Sequence, residues 1–340
     1  MTETENGTAS LSAAADTTAP TASAADPATP TTRVITQRVI GGSDVLEQAE
    51  VPLPVPGPGE VLVRVRATGM NPADWKVRIG KVDFFGPPPM VLGHEFSGTV
   101  EALGEGAERF APGEEVYGWT TPPHGSHADH VLVSQDRVAP KPRTLDHVGS
   151  AALPISGFTA YQALITLADV RPGQRVLIHG AAGGVGHLAV QIAKARGAYV
   201  IGTARTAKHD YLRGLGADEL LDYTLTDFSE LRDVDAVLDT ISNDYGPRSL
   251  PVLKPGGILV DVVGVGVDRT EVTARAAELG IRFVEFFLEP TPAVLTAFAG
   301  LVDEHGIRPT ISEVLPLAEA AKAHDLSETG RVQGKIVLVP

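Results

Sequence analysis

From Ile178 the chain reads IHGAAGGVGHLAVQIAKARGA. Gly180, Gly183, Gly184 and Gly186 form a G-x-x-G-G-x-G run, with Ala182 and Val185 between them. RVLI, from Arg175, precedes the run as a short unbroken apolar strand. Beyond it, Val185, Leu188, Ala189, Ile192 and Ala193 recur at helical spacing. A strand that turns through glycines into a helix lets the backbone approach a diphosphate without Cβ atoms in the way. The helix start then offers unpaired N–H groups and a positive dipole end to the phosphates. The run is a variant of the dinucleotide fingerprint, and its expected ligand is a dinucleotide.

The end of the next strand decides which dinucleotide. NAD binders carry an acid about 20 residues past the glycines to hold the ribose hydroxyls. Here the chain reads VIGTARTAKHD from Val200, and the strand end at Thr203 is followed by Arg205 and Lys208. A guanidinium and an ammonium bind a 2′-phosphate, where a carboxylate would repel it. The expected cofactor is NADPH. Asp239 and Val263, near the ends of later strands, complete the candidate cofactor contacts.

The elements around this stretch alternate. Strands are expected at Tyr199 to Thr203, Glu219 to Asp222, Asp235 to Asp239, Gly257 to Val263 and Ile281 to Phe287, with helices between most of them. Repeated β–α units indicate a doubly wound parallel sheet. Ahead of it the texture is β. In EVLVRVRA, Val61, Val63 and Val65 share one face, and Arg64 and Arg66 the other. Short strands around Val91, Gly98 to Ala102, Glu115 to Gly118 and His130 to Val133 predict an all-β lobe up to about Pro140. Two helices and the closing strand KIVLV follow Pro292. Met1 to about Thr32 holds Ala, Thr, Ser, Pro and Asp with almost no large apolar side chain, as expected of a disordered leader.

The totals narrow the function. The chain has 340 residues and no cysteine, so disulfides, thiolate metal sites and cysteine nucleophiles are excluded. A formal net charge of −14 speaks against binding nucleic acid or an anionic membrane through the overall field. No run reaches transmembrane length, and no secretory signal is recognisable, so a cytoplasmic location is expected. His124, His127 and His130 stand at i, i+3, i+6, but proline and glycine break any helix there; a loop and strand near the cleft is the expectation. Phe84, Phe85, Tyr117 and Trp119 fit an apolar pocket or ordinary core equally well.

With these pieces in order, the chain resembles the zinc-free branch of the medium-chain dehydrogenase/reductase superfamily, the quinone oxidoreductase (zeta-crystallin-like) group. The matching blocks are GGSDVLEQAEVPLPVPGPGEVLVRV from Gly41, ATGMNPADW from Ala67, VLGHEFSGTV from Val91, FTAYQAL from Phe158, the glycine stretch, LGADELLDY from Leu215, VLDT from Val237, LKPGGILV from Leu253 and GRVQGKIVLV from Gly330. The resemblance implies an α/β protein with a Rossmann lobe over 157–291. It implies a GroES-like, β-rich catalytic lobe over 34–156 to which 292–340 returns, behind a tail at 1–33. It further implies NADPH in the cleft, hydride transfer to a quinone or an α,β-unsaturated carbonyl compound, and a homodimer. By the same resemblance Asn71 and Thr159 face the nicotinamide, Tyr223 lies near the adenosine phosphate, and Lys335, with Arg331, approaches the cofactor.

GHE, Gly93 to Glu95, matches a zinc-ligand motif in the zinc-dependent branch. Without cysteines, only His94, Glu95 and Asp74 remain as donors, and the expectation is a polar network with no metal. Two other functions stay open: an enoyl-thioester reductase, and a non-catalytic NADPH-binding protein.

Overall fold

The computed structural model describes residues 30–264, 267–286, 288 and 290–340. The expected leader lies outside the described residues as far as position 29, and so does Phe287 at the end of an expected strand. The leader is shorter than its composition suggests: Thr31 already pairs with Pro52. Thr32 and Val34 turn inward, Thr32 Oγ1 bonds His130 Nδ1 at 2.9 Å, and Arg33 pairs with Asp129.

The first lobe is built from β1 (Thr31–Gln37), β2 (Leu46–Pro52), β3 (Glu60–Gly69), β4 (Met90–Val91), β5 (Glu95–Leu103), β6 (Glu115–Trp119), β7 (His130–Ser134) and β8 (Val138–Pro140). β1 lies between β2 and β4, and β3 pairs with both β5 and β7. The expected alternation in β3 holds. Val61, Val63 and Val65 are buried against Phe96, Val116 and Val131, while Arg64 faces out to Glu101. The lobe is not all-β. Helix Pro72–Arg78 interrupts it, started by a proline at its first turn and by the Asp74 carboxylate, which accepts the Asn71 N–H at 2.7 Å.

The second lobe carries β9 (Arg175–Ile178), β10 (Tyr199–Thr203), β11 (Glu219–Leu221), β12 (Val234–Asp239), β13 (Leu253–Asp261) and β14 (Arg282–Glu285). All pairs are parallel, in the order β11-β10-β9-β12-β13-β14. Both faces are covered, which is why the strands read as unbroken apolar runs. Val176, Ile178, Val200 and Leu238 face one core; Leu177, Ile201, Val237 and Leu259 face the other. The strand order reverses at β9, between β10 and β12, so a crevice opens at the carboxyl end of β9. The glycine run leaves β9 at that point.

After helix Pro292–His305 the chain returns to the first lobe through β15 (Ile311–Pro316), helix Ala320–Glu328 and β16 (Lys335–Val339). β16 pairs with β3 and with β15, a strand the sequence pattern did not reveal. Helix Pro292–His305 joins the lobes. Tyr117 Oη donates to Leu295 O at 2.6 Å, and Phe298 is fully buried in the core of the parallel sheet.

Several buried histidines are held neutral. Burial pushes the His179 and His324 imidazoles down to about 3 and His187 down to about 4. An unfolded imidazole takes a proton near pH 6.5, so on acidification the unfolded state binds protons that the folded state refuses. Each such histidine therefore costs about 2 kcal/mol of stability at pH 5 relative to pH 8. Asp239, which burial raises to about 6, acts in the opposite direction. The expected result is a urea midpoint that falls between pH 7 and pH 5, with a smaller fall in His324→Phe; a midpoint that holds or rises at pH 5 contradicts this.

Candidate cofactor and active site

The glycine run forms a tight loop that the second lobe locks from below. Gly180 has φ +59°, a left-handed conformation that favours glycine. Ala181 N donates to Thr203 O at 3.1 Å and Gly180 N to Thr203 Oγ1 at 3.3 Å, which ties the loop to the end of β10. A Cβ on Gly186 would collide with the Gly180 carbonyl and the Ala181 backbone, so the helix Gly186–Ala195 starts as close to the strand as a backbone can come. Gly183 N closes the turn on Gly180 O at 2.9 Å. The amides of Ala182, Gly184, Val185 and Gly186 meet no acceptor among the described residues. Four unpaired donors at a helix start are a receptor for an anion.

The loop is also fixed from the catalytic side. Gly334 N donates to Ala182 O at 2.9 Å, and the Lys335 side chain passes under Gly184, where a Cβ would crowd its Cδ and Ser156 Oγ. The Lys335 ammonium is only 2% exposed. It lies 2.6 Å from Asn71 Oδ1, 2.7 Å from Glu95 Oε1, 2.8 Å from Met70 O and 3.2 Å from Ser156 Oγ. Three N–H donors thus face four oxygens. Asn71 Nδ2 donates to Glu95 Oε1 at 2.8 Å, and Glu95 Oε2 accepts Ile155 N–H at 2.7 Å. Because lysine only donates, this set fixes which way the Asn71 amide points. The second N–H of that amide has no acceptor among the described residues. Lys335 does reach the glycine loop, but its charge is committed to Glu95 and Asn71. Thr159 sits one helical turn beyond Ser156, buried in the helix Ser156–Tyr161.

At the other end of the loop, Arg205 Nε lies 3.2 Å from Tyr223 Oη, and Lys208 Nζ donates to Gln333 Oε1 at 2.7 Å. Arg205 is exposed, and neither cation pairs with a carboxylate among the described residues. The Asp222 carboxylate is engaged by its own loops: it accepts the N–H and hydroxyl groups of Thr206 and Thr224, which hold its carboxyl well below the usual range. Arg331, placed near the cofactor by resemblance, is exposed and donates its N–H to Thr329 Oγ1 at 3.2 Å.

Asp239 is the last residue of β12, and Val263 lies just beyond β13. Asp239 Oδ1 accepts Ile241 and Ser242 N–H at 2.8 and 2.9 Å, and Val263 N donates to Asp261 Oδ1 at 2.9 Å. Both shape their own loops. Sequence reasoning missed Ser156, His187, Thr310 and Gln333, all of which hold the loop or its neighbours.

The GHE motif resolves into a polar network. Glu95 is engaged by Lys335, Asn71 and Ile155, and His94 Nδ1 pairs with Asp74 at 2.6 Å. The Asp74 carboxyl is held well below its usual range, chiefly by the His94 charge acting against burial. With Glu95 committed to Lys335 and no cysteine in the chain, this donor set does not fit a zinc ion. The three clustered histidines diverge. His124 is exposed, His127 packs edge-on against His324 at 5.6 Å, and His130 joins Thr32 and Glu101. Tyr117 is core; Phe84 is 65% exposed, and Phe85 lies edge-on to His94.

Known proteins agree with this architecture. Residues 57–143 match the alcohol dehydrogenase GroES-like domain, and residues 215–338 match the zinc-binding dehydrogenase family model. The chain is 32% identical over 313 residues to quinone oxidoreductase of Sus scrofa, covering 88% of this chain and 95% of that protein. It is 33% identical over 323 residues to 2-haloacrylate reductase of Burkholderia sp, covering 88% and 96%. The solved quinone oxidoreductase from Coxiella burnetii superposes with a TM-score of 0.85 at 35% identity, covering 92% of this chain and all of that one. The chain belongs to the medium-chain dehydrogenase/reductase superfamily, in its zinc-free quinone oxidoreductase group. It is an oxidoreductase of that type, and the family implies a nicotinamide cofactor. No helix among the described residues is long and apolar enough to cross a membrane.

The Lys335–Glu95 pair has a measurable signature. Removing one partner strands the other as a buried charge, at a cost of about 3–5 kcal/mol. Urea unfolding of Lys335→Met, Glu95→Gln and the double variant is expected to show a double variant more stable than the sum of the single losses. Strictly additive losses contradict the pairing.

Proposed function

We propose that this protein is an NADPH-dependent, metal-free reductase that delivers hydride to a quinone or an α,β-unsaturated carbonyl compound. The observation that carries the reading is the row of unpaired amides at Ala182, Gly184, Val185 and Gly186, bounded by two cations without carboxylate partners. The amides would hold the diphosphate. Arg205 and Lys208, with Tyr223 alongside, would hold the 2′-phosphate, Lys208 exchanging Gln333 for it. Once bound, the cofactor supplies the hydride.

The protein's own part is positioning and shielding. Thr159 and Ser156 lie on the helix that packs behind the glycine loop. The free N–H of Asn71, aimed by Lys335 and Glu95, is placed to donate to the oxygen on which charge collects as the acceptor is reduced. Near Asn71, Glu95 pairs with Lys335 and Asp74 with His94 Nδ1, while His94 Nε2 has no partner among the described residues. A site whose carboxylates and ammonium are held in pairs suits quinones, whose reduced anions need little help, and serves enones whose protonation comes from water. The names of the relatives, a quinone oxidoreductase and a 2-haloacrylate reductase, support acceptors of this electron-poor kind. A second copy of the chain would add at the outer edge of the parallel sheet, at β14.

The test is steady-state turnover of a simple quinone, an alkyl enone and a crotonyl thioester with NADPH and with NADH. The expected result is preference for NADPH and for the first two acceptors. In Arg205→Ala and Lys208→Ala the ratio of kcat/KM for NADPH over NADH is expected to fall about tenfold each, the worth of one charge-assisted contact. An unchanged ratio removes both residues from the 2′-phosphate site.

A further inference from the structure

Besides the glycines, one buried side chain touches the phosphate loop from within its own helix. His187 is fully buried on the first turn of Gly186–Ala195. Its Nδ1 lies 2.8 Å from Gly183 O, and its Nε2 lies 3.0 Å from Thr310 N. An amide nitrogen donates only and a carbonyl accepts only. The ring must therefore be the neutral tautomer with its proton on Nδ1, donating to Gly183 O and accepting from Thr310. Burial, which disfavours the imidazolium, keeps it in that state at neutral pH.

The two partners belong to different parts of the molecule. Gly183 is in the middle of the glycine loop. Thr310 immediately precedes β15, in the return to the catalytic lobe, and its carbonyl accepts Lys335 N–H at 2.9 Å. Tyr211 Oη also donates to Thr310 Oγ1 at 2.9 Å. The imidazole thus joins the His187 backbone N–H, 3.1 Å from the same oxygen, in holding the Gly183 carbonyl turned into the protein, and it ties that peptide to Thr310, whose carbonyl holds the Lys335 N–H. The Gly184 amide belongs to that same peptide, on the opposite side from the carbonyl. Holding the carbonyl inward turns this N–H outward, beside the amides of Val185 and Gly186.

We infer that His187 is a positioning residue of the dinucleotide site: it orients the Gly183–Gly184 peptide toward the diphosphate and locks the loop to the catalytic-lobe return. This rests on the proposed dinucleotide site and adds a residue that acts on the part NADPH and NADH share. Loss of His187 therefore weakens both cofactors together, unlike loss of Arg205 or Lys208.

Titration calorimetry of the full-length protein with NADPH and with NADH tests it. In His187→Phe, which loses both imidazole bonds, Kd for both cofactors is expected to rise about tenfold or more, with their ratio unchanged. The kcat at saturating cofactor is expected to stay within about threefold. His187→Asn, whose amide nitrogen occupies the Nδ1 position, is expected to recover most of the affinity. Should His187→Phe fail to fold, His187→Gln carries the same comparison, since its amide matches Nε2 and leaves Gly183 O with only the backbone N–H of residue 187. Wild-type affinity in these loss variants overturns the inference, as does a rise confined to NADPH or a kcat loss that tracks the affinity loss. If the wild-type protein binds neither cofactor, the dinucleotide site itself is refuted, and this role with it.

Discussion

A buried ammonium must be surrounded by oxygens, and Lys335 draws its oxygens from segments far apart in the chain. Met70, Asn71, Glu95 and Ser156 stand between 179 and 265 residues away from it. The energetic demand of that one charge holds the last strand, the start of helix Pro72–Arg78, the GHE segment and the helix Ser156–Tyr161 in fixed relation. It also seats the lysine stem against Gly184. The seam between the lobes, where a dinucleotide and an acceptor have to meet, is therefore built around one desolvated cation.

Two further ties run through the same seam. Gly334 reaches the glycine loop through Ala182, and Gln333 reaches Lys208 beside the proposed adenosine phosphate site. Three consecutive residues of the C-terminal segment thus touch Lys208 at the proposed adenosine end, the glycine loop and the polar cluster at Asn71. Such continuity explains why the C-terminal return is needed to complete a site whose glycines sit more than a hundred residues earlier.

Much of this was legible in the sequence, for identifiable reasons. The parallel strands announce themselves because both faces are covered, and the glycine run because close backbone approach tolerates nothing larger. The proposal for Arg205 and Lys208 comes from the kind of residue that follows β10. Other features depend on distant partners and leave no local trace. β15, ISEVLP, carries Ser312 and Glu313 outward and owes its strand state to pairing with β16. Helix Pro72–Arg78 is too short for a periodic signal. The contacts of the Lys335 ammonium are not legible either, because nothing near GKIVLV indicates that Glu95 and Asn71 wait for it. His187 read as one more residue of an amphipathic helix, since Thr310 is 123 positions away.

The most direct measurement is a crystal structure of the protein grown with NADPH. The account requires diphosphate density over the amides of Ala182 to Gly186, the 2′-phosphate between Arg205 and Lys208, and the nicotinamide facing Thr159 and Asn71 with the Lys335–Glu95 pair intact beneath. Density for the dinucleotide elsewhere, or a nicotinamide that displaces Lys335 from Glu95, would contradict it.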